Sequence, residues 1–183
     1  MTSPMTKTRT EGTVVTPRSK KDIAANAQAM RQFLKLEKQD YFPVPAVYAM
    51  LGMMFEDADF EVYEEYEMGE DHGRTYPDQL RIVLRNDVYE RACIGEARDR
   101  FTMCHELGHL MMHRGISLSR IDPASPPKIY CNSEWQADTF ASYLMMPPDL
   151  ICRYSTVQEV VDAFGVSFEA AYARRAEILG KNV

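Results

Sequence analysis

His105-Glu106-Leu107-Gly108-His109 is the stretch on which the reading of this chain turns. It has the form H-E-x-x-H and lies in an uninterrupted helical pattern from Ala97 to His113, closed by Arg114 and Gly115. Two histidines four residues apart stand one turn above each other on the same helix face, so their imidazoles can reach one metal ion together. Glu106, next to the first histidine, can touch water on that ion without binding the ion itself. This is the layout expected of a zinc-dependent hydrolase; the bland alternative is an inert helix that carries two histidines.

Such enzymes take three protein ligands and keep one position for water. The motif supplies two. His113 extends the same stripe, but eight residues from His105 is about 12 Å along the axis, too far for one ion to bridge all three. The longer pattern H-E-x-x-H-x-x-G-x-x-H would need histidine where Gly115 stands and glycine where Met112 stands, so it is excluded. Glu134 remains. It opens a second helix after a loop long enough to reverse the chain, and Asp138 follows four residues later on the same face. Glu134 is expected as the third ligand and Asp138 as the carboxylate behind a metal-binding histidine, where it fixes the tautomer. Otherwise both are solvated helix acids.

The remainder of the chain sets the frame. With 183 residues, 45% hydrophobic and 26% charged, it suits one domain with a real core. No apolar run reaches the roughly 18 residues of a membrane span, and Met1 to Lys21 lacks the apolar centre of a secretory signal. Cys93, Cys104, Cys131 and Cys152 are widely spaced with no C-x-x-C, which points to reduced thiols in a cytoplasm. The net charge of −6 is uneven: residues 1–21 carry +4, which leaves −10 for residues 22–183. An acidic body is a poor ligand for nucleic acid. Residues 1–21, rich in Thr, Ser and Lys, are expected to be a disordered basic tail.

Helical periodicity runs from Lys20 to Glu37 on Ile23, Ala27, Met30 and Leu34, and a short helix is expected from Pro45 to Leu51 with Gly52 as its stop. Residues 56–71 hold nine acids and partial alternation, read as a half-buried strand with an acidic outer face. Gly69 to Pro77 reads as a loop and Gln79 to Leu84 as a second strand, the two strands forming a hairpin. Asn132 or Ser133 is expected to cap the Glu134 helix, which Pro147-Pro148 ends. Val157–Phe164 and Ser167–Leu179 form a final helix pair. Its cadence is that of a helix-turn-helix, but Arg153, Arg174, Arg175 and Lys181 are balanced by four acids, so packing or partner contact is favoured over DNA reading. The domain reading is therefore a tail over 1–21, a core over 22–150 and the helix pair over 151–183.

Arg100-Phe101-Thr102-Met103-Cys104-His105-Glu106-Leu107-Gly108-His109-Leu110, taken with the run from Glu134 to Pro147, resembles the ImmA/IrrE family of metallo-endopeptidases. The family patterns are R-F-T-x-x-H-E-x-G-H and E-x-x-A-N-x-F-A-x-x-L-L-x-P. Asp138 stands where asparagine is common and Met145 where leucine is; neither change touches the expected ligands. The resemblance covers about residues 40–180. It implies an α+β, mostly helical, zincin-like core with a small antiparallel sheet. His105, His109 and Glu134 would hold Zn²⁺, with Glu106 as general base. It also implies a bacterial, cytoplasmic protein whose partner is a protein substrate, a helix-turn-helix transcriptional repressor or antitoxin. For the oxyanion, Tyr130, Tyr143, Tyr154 and His113 are all candidates. The alternatives are a partner-binding module that does not cut, and a DNA-binding regulator.

Overall fold

Ser19 begins the first long helix with a reciprocal cap: its hydroxyl accepts from the Asp22 backbone while the Asp22 carboxylate accepts from the Ser19 backbone. The computed structural model describes residues 12–116 and 119–180. In chain order the elements are β1 (Thr13–Val14), α1 (Lys20–Phe33), α2 (Val44–Ala49), α3 (Leu51–Met54), β2 (Asp59–Tyr63), α4 (Glu65–Met68), β3 (Gly73–Tyr76) and β4 (Arg81–Arg85). They continue with α5 (Asn86–Cys93), α6 (Ala97–Met112), β5 (Ser119–Arg120), α7 (Ser133–Met145), α8 (Pro148–Ile151), α9 (Val157–Phe164) and α10 (Phe168–Leu179). The fold is α+β and mostly helical, with a small sheet, as expected.

The sheet is not the antiparallel hairpin expected. Its order is β2-β4-β3, and β2 runs parallel to β4, with Asp59 opposite Arg81 and Tyr63 opposite Arg85. The missing strand lies in the stretch read as a loop: β3 pairs antiparallel with β4, Gly73 opposite Leu84. The acid run breaks where Glu64 and Glu67 cap the short α4 reciprocally and Gly69 turns the chain at φ +61°. The chain can then re-enter the sheet on the far side of β4. Ile82, Val83 and Leu84 are all buried, as suits a central strand covered on both faces. On the edge strand β2 Asp59 is exposed, while Glu61 is half-buried and pairs with Arg81 at 3.4 Å.

The disordered-tail reading of residues 1–21 fails for its second half; residues 1–11 lie outside the described residues. β1 pairs with β5, Val14 also bridges to Asn132, and α1 starts at Lys20. The Val15 amide donates to the Cys131 carbonyl and the Arg18 amide to the Tyr130 carbonyl, 2.9 and 3.1 Å. An apolar run is not needed to order this arm, because backbone hydrogen bonds to the loop before α7 do so. Gly52 does not stop a helix either; it lies inside α3.

α6 is the axis of the molecule. It packs on α7, α5, β3 and β4, and α1 packs on α7. Ile23, Ala27 and Met30 of α1 join Leu107, Leu110, Phe140 and Leu144 in one core, which α9 and α10 extend with Val160, Phe164 and Ala171. The seams are closed by buried arginines that donate to backbone carbonyls. Arg31 reaches Leu144 and Gln39, Arg174 reaches Met146, and Arg175 reaches Tyr154 and Ser155. Arg100 is fully buried, lies 3.8 Å above the Tyr41 ring, and donates to the carbonyls of Phe42, Phe164 and Gly165. It thereby clamps the turn between α9 and α10 to the core. Among the described residues no helix is long and apolar enough to cross a membrane.

Candidate metal centre

Gly108 is what lets the two site helices meet. A Cβ there would stand 3.1 Å from the Ala137 Cα and 3.2 Å from the Ala137 carbonyl oxygen, so α6 and α7 cross with almost no side chain between them. Asn132 caps α7 by accepting from the Trp135 amide at 2.9 Å, which places Glu134 in the first turn, facing α6.

The structure brings the three expected ligand residues together. His105 Nε2 and His109 Nε2 are 2.9 Å apart. Glu134 Oε2 lies 3.2 Å from the former and Oε1 3.5 Å from the latter. One donor atom from each falls within 4.8 Å of the others. Asp138, one turn beyond Glu134, places Oδ1 2.8 Å from His105 Nδ1. A carboxylate accepts only, so Nδ1 donates to it.

This donor set fits a cation. Two imidazole nitrogens 2.9 Å apart call for positive charge between them, either a shared proton or a cation. Burial alone would lower the pKa of His105, but the hydrogen bonds to Asp138 and Glu134 outweigh it and push it up to about 10. Burial would raise the pKa of Glu134, yet the two histidines hold its carboxyl far below the usual range. The pocket thus attracts positive charge, and two nitrogens with one carboxylate oxygen form a set that suits zinc.

Glu106 is held from the sheet side. Thr75 Oγ1 on β3 lies 2.6 Å from Glu106 Oε2 and 3.1 Å from the Glu106 carbonyl oxygen. A Cβ at Gly73 would come within 2.8 Å of Oε1, so glycine there leaves the room that the carboxylate occupies as β3 passes it. His105, Glu106, Glu134 and Asp138 line one cleft of about 650 Å³. Glu70 and Asp71, the end of the acid run, reach its rim, and His72 and Arg98 line it as well.

His113 is not part of the cluster, in line with the 12 Å argument. It caps the C-terminal end of α6, is 2% exposed, and has burial as the main cause pushing its pKa down to about 4. Its Nδ1 is 2.9 Å from His109 Nδ1 and its Nε2 3.2 Å from Gln136 Oε1. None of the four oxyanion candidates lines the cleft. Tyr154 donates to Asp40, and the Tyr143 ring lies under Arg174. Sequence reading missed His72, Gly73, Thr75 and Gln136. Only Gln136 left a signal: it is a polar residue on the otherwise apolar face of α7 with Ala137, Phe140 and Leu144.

Among curated proteins, none was found to match this chain. Residues 55–175, more than half of the 183, match a family pattern that takes in the sheet, both site helices and most of the C-terminal pair. The chain belongs to the peptidase M78 family, described as the IrrE N-terminal-like domain, and so has a metallopeptidase-type function.

Proposed function

We propose that this protein is a zinc-dependent endopeptidase that cleaves a protein substrate. The observation that carries the reading is the convergence of His105 Nε2, His109 Nε2 and Glu134 on one point beside the buried carboxylate of Glu106. His105, His109 and Glu134 would hold the metal. Zinc, when bound, supplies a Lewis acid that lowers the pKa of a water and polarises a carbonyl. Glu106 takes a proton from the attacking water on its carboxylate and later gives it to the leaving amine. Thr75 and Gly73 keep that carboxylate in one orientation. His72, on the cleft wall, is our candidate for steadying charge on the carbonyl oxygen.

An extended peptide suits the cleft. β3 is an edge strand with β4 on one side only, and an edge accepts a further strand by backbone pairing. A neighbouring apolar pocket of about 510 Å³ shares His72, Arg98, Phe101 and Thr102 with the cleft and is floored by Met145, Met146 and Val166. It would take a large apolar side chain. Following the family resemblance, we propose a helix-turn-helix repressor or antitoxin as substrate and the cytoplasm as the compartment. The four free cysteines support a reducing setting.

Direct DNA reading by the C-terminal pair is disfavoured, since Arg174 and Arg175 are buried, Arg174 donating to the Met146 carbonyl and the Glu177 carboxylate and Arg175 to the carbonyls of Tyr154 and Ser155. The test is Glu106→Gln. The substituted protein should bind zinc and retain the candidate repressor uncleaved, while wild type with zinc cuts it. Equal cleavage by both would remove Glu106 from the chemistry. Retention without cleavage by either would favour a binding module.

A further inference from the structure

Gln136 is completely buried, and its side-chain amide can be oriented in one way only. Its Nε2 lies 2.9 Å from the Thr16 carbonyl and 2.8 Å from the Tyr130 carbonyl. Both are acceptors, so the NH₂ group must face them and Oε1 must face His113. An amide oxygen only accepts. The proton in the 3.2 Å contact to His113 therefore sits on His113 Nε2. A neutral imidazole protonated there keeps its lone pair on Nδ1, and that atom lies 2.9 Å from His109 Nδ1. The proton in this second contact then belongs to His109 Nδ1. The lone pair of His109 is left on Nε2, the atom that faces His105 and Glu134.

We infer that Gln136 and the N-terminal arm, acting through His113, fix the tautomer of His109 so that its Nε2 is presented to the cation. The inference rests on the zinc reading above for its purpose and on the hydrogen bonds alone for its direction. Gln136 and His113 are positioning residues. The relay begins outside the matched family segment, because Thr16 is held by the pairing of β1 and the Val15 and Arg18 amide bonds. The two histidines are thus set by different means. His105 has a carboxylate behind it, which charges the ligand further. His109 has a neutral chain of two side chains ending on main-chain carbonyls.

The experiment reads imidazole nitrogen resonances of the full chain stripped of metal, then zinc affinity by chelator competition. Wild type should have His109 protonated on Nδ1 and His113 protonated on Nε2. Gln136→Met keeps the volume and removes the acceptor; His109 should become a mixture of tautomers, and zinc affinity should fall roughly 10–100-fold. Wild-type His109 protonated on Nε2, or an unchanged tautomer in Gln136→Met, overturns the inference. The wild-type spectrum decides the matter even where a variant fails to fold. Wild type that binds no zinc yet has the expected tautomers would defeat the metal reading and leave the relay in place.

Discussion

The Thr75 hydroxyl lies 2.6 Å from Glu106 Oε2, a contact between an edge strand and the site helix across 31 residues of chain. Hydrogen bonds to charged groups contribute about 1.5–3 kcal/mol. Thr75→Val removes this one while keeping shape. The expected result is a roughly 10–100-fold fall in kcat/KM on a cleaved peptide, with zinc affinity unchanged. Equal loss of zinc would mean that Thr75 supports the metal cluster rather than the proton carrier.

Gly108→Val tests the close crossing of α6 and α7. The added side chain would meet the Ala137 backbone at about van der Waals limits or inside them. Overpacking of this kind costs about 1–3 kcal/mol. Thermal unfolding should shift down, and zinc affinity should fall at least about tenfold because Glu134 rides on the displaced helix. Unchanged affinity in a folded variant would show that the crossing does not set the ligand geometry.

Thiol labelling separates three of the four cysteines. Burial pushes the Cys104 thiol up to about 12, whereas Cys93 and Cys152 are exposed. At pH 8, a disulfide reagent should modify Cys93 and Cys152 in the folded protein and reach Cys104 only after denaturant is added. Rapid labelling of Cys104 in native protein would contradict its packing in the core.

Stability of the metal-free protein should depend on pH in a defined window. His113 has a folded pKa of about 4 against an ordinary 6.5, with burial as the main cause and His109 next. The unfolded chain therefore binds more protons between those values, and stability rises with pH across them. The contribution is complete above about pH 6.5 and fades as pH falls toward 4. Urea midpoints of wild type and His113→Gln should converge on acidification. A difference that stays constant from pH 4 to 8 would contradict a neutral buried His113.

The site helix was legible because its motif is local: H-E-x-x-H fixes spacing on one face, and periodicity fixes the helix. Glu134 and Asp138 were legible through a second helix with its own start signal at Asn132. β3 was not. Gly73-Arg74-Thr75-Tyr76 has no alternation, and its place as a strand depends on β4 lying beside it. The parallel pairing of β2 with β4 was hidden for the same reason, since two neighbouring strands in a sequence suggest a hairpin until a third is found. Gly73, Thr75 and Gln136 matter through contacts spanning up to 120 residues, which no window of sequence displays.

Guanidinium groups stay charged at any pH a protein meets. Even Arg31, whose pKa burial lowers to about 10, remains so in acid. The carbonyl clamps made by Arg31, Arg100, Arg174 and Arg175 are consequently indifferent to acid, whereas the buried His113 imidazole, whose pKa is pushed down to about 4, is not. Acidification toward that value should disturb the support behind His109 before the seams between the helices give way, so that a return to neutral pH would restore the site without any need to refold the chain.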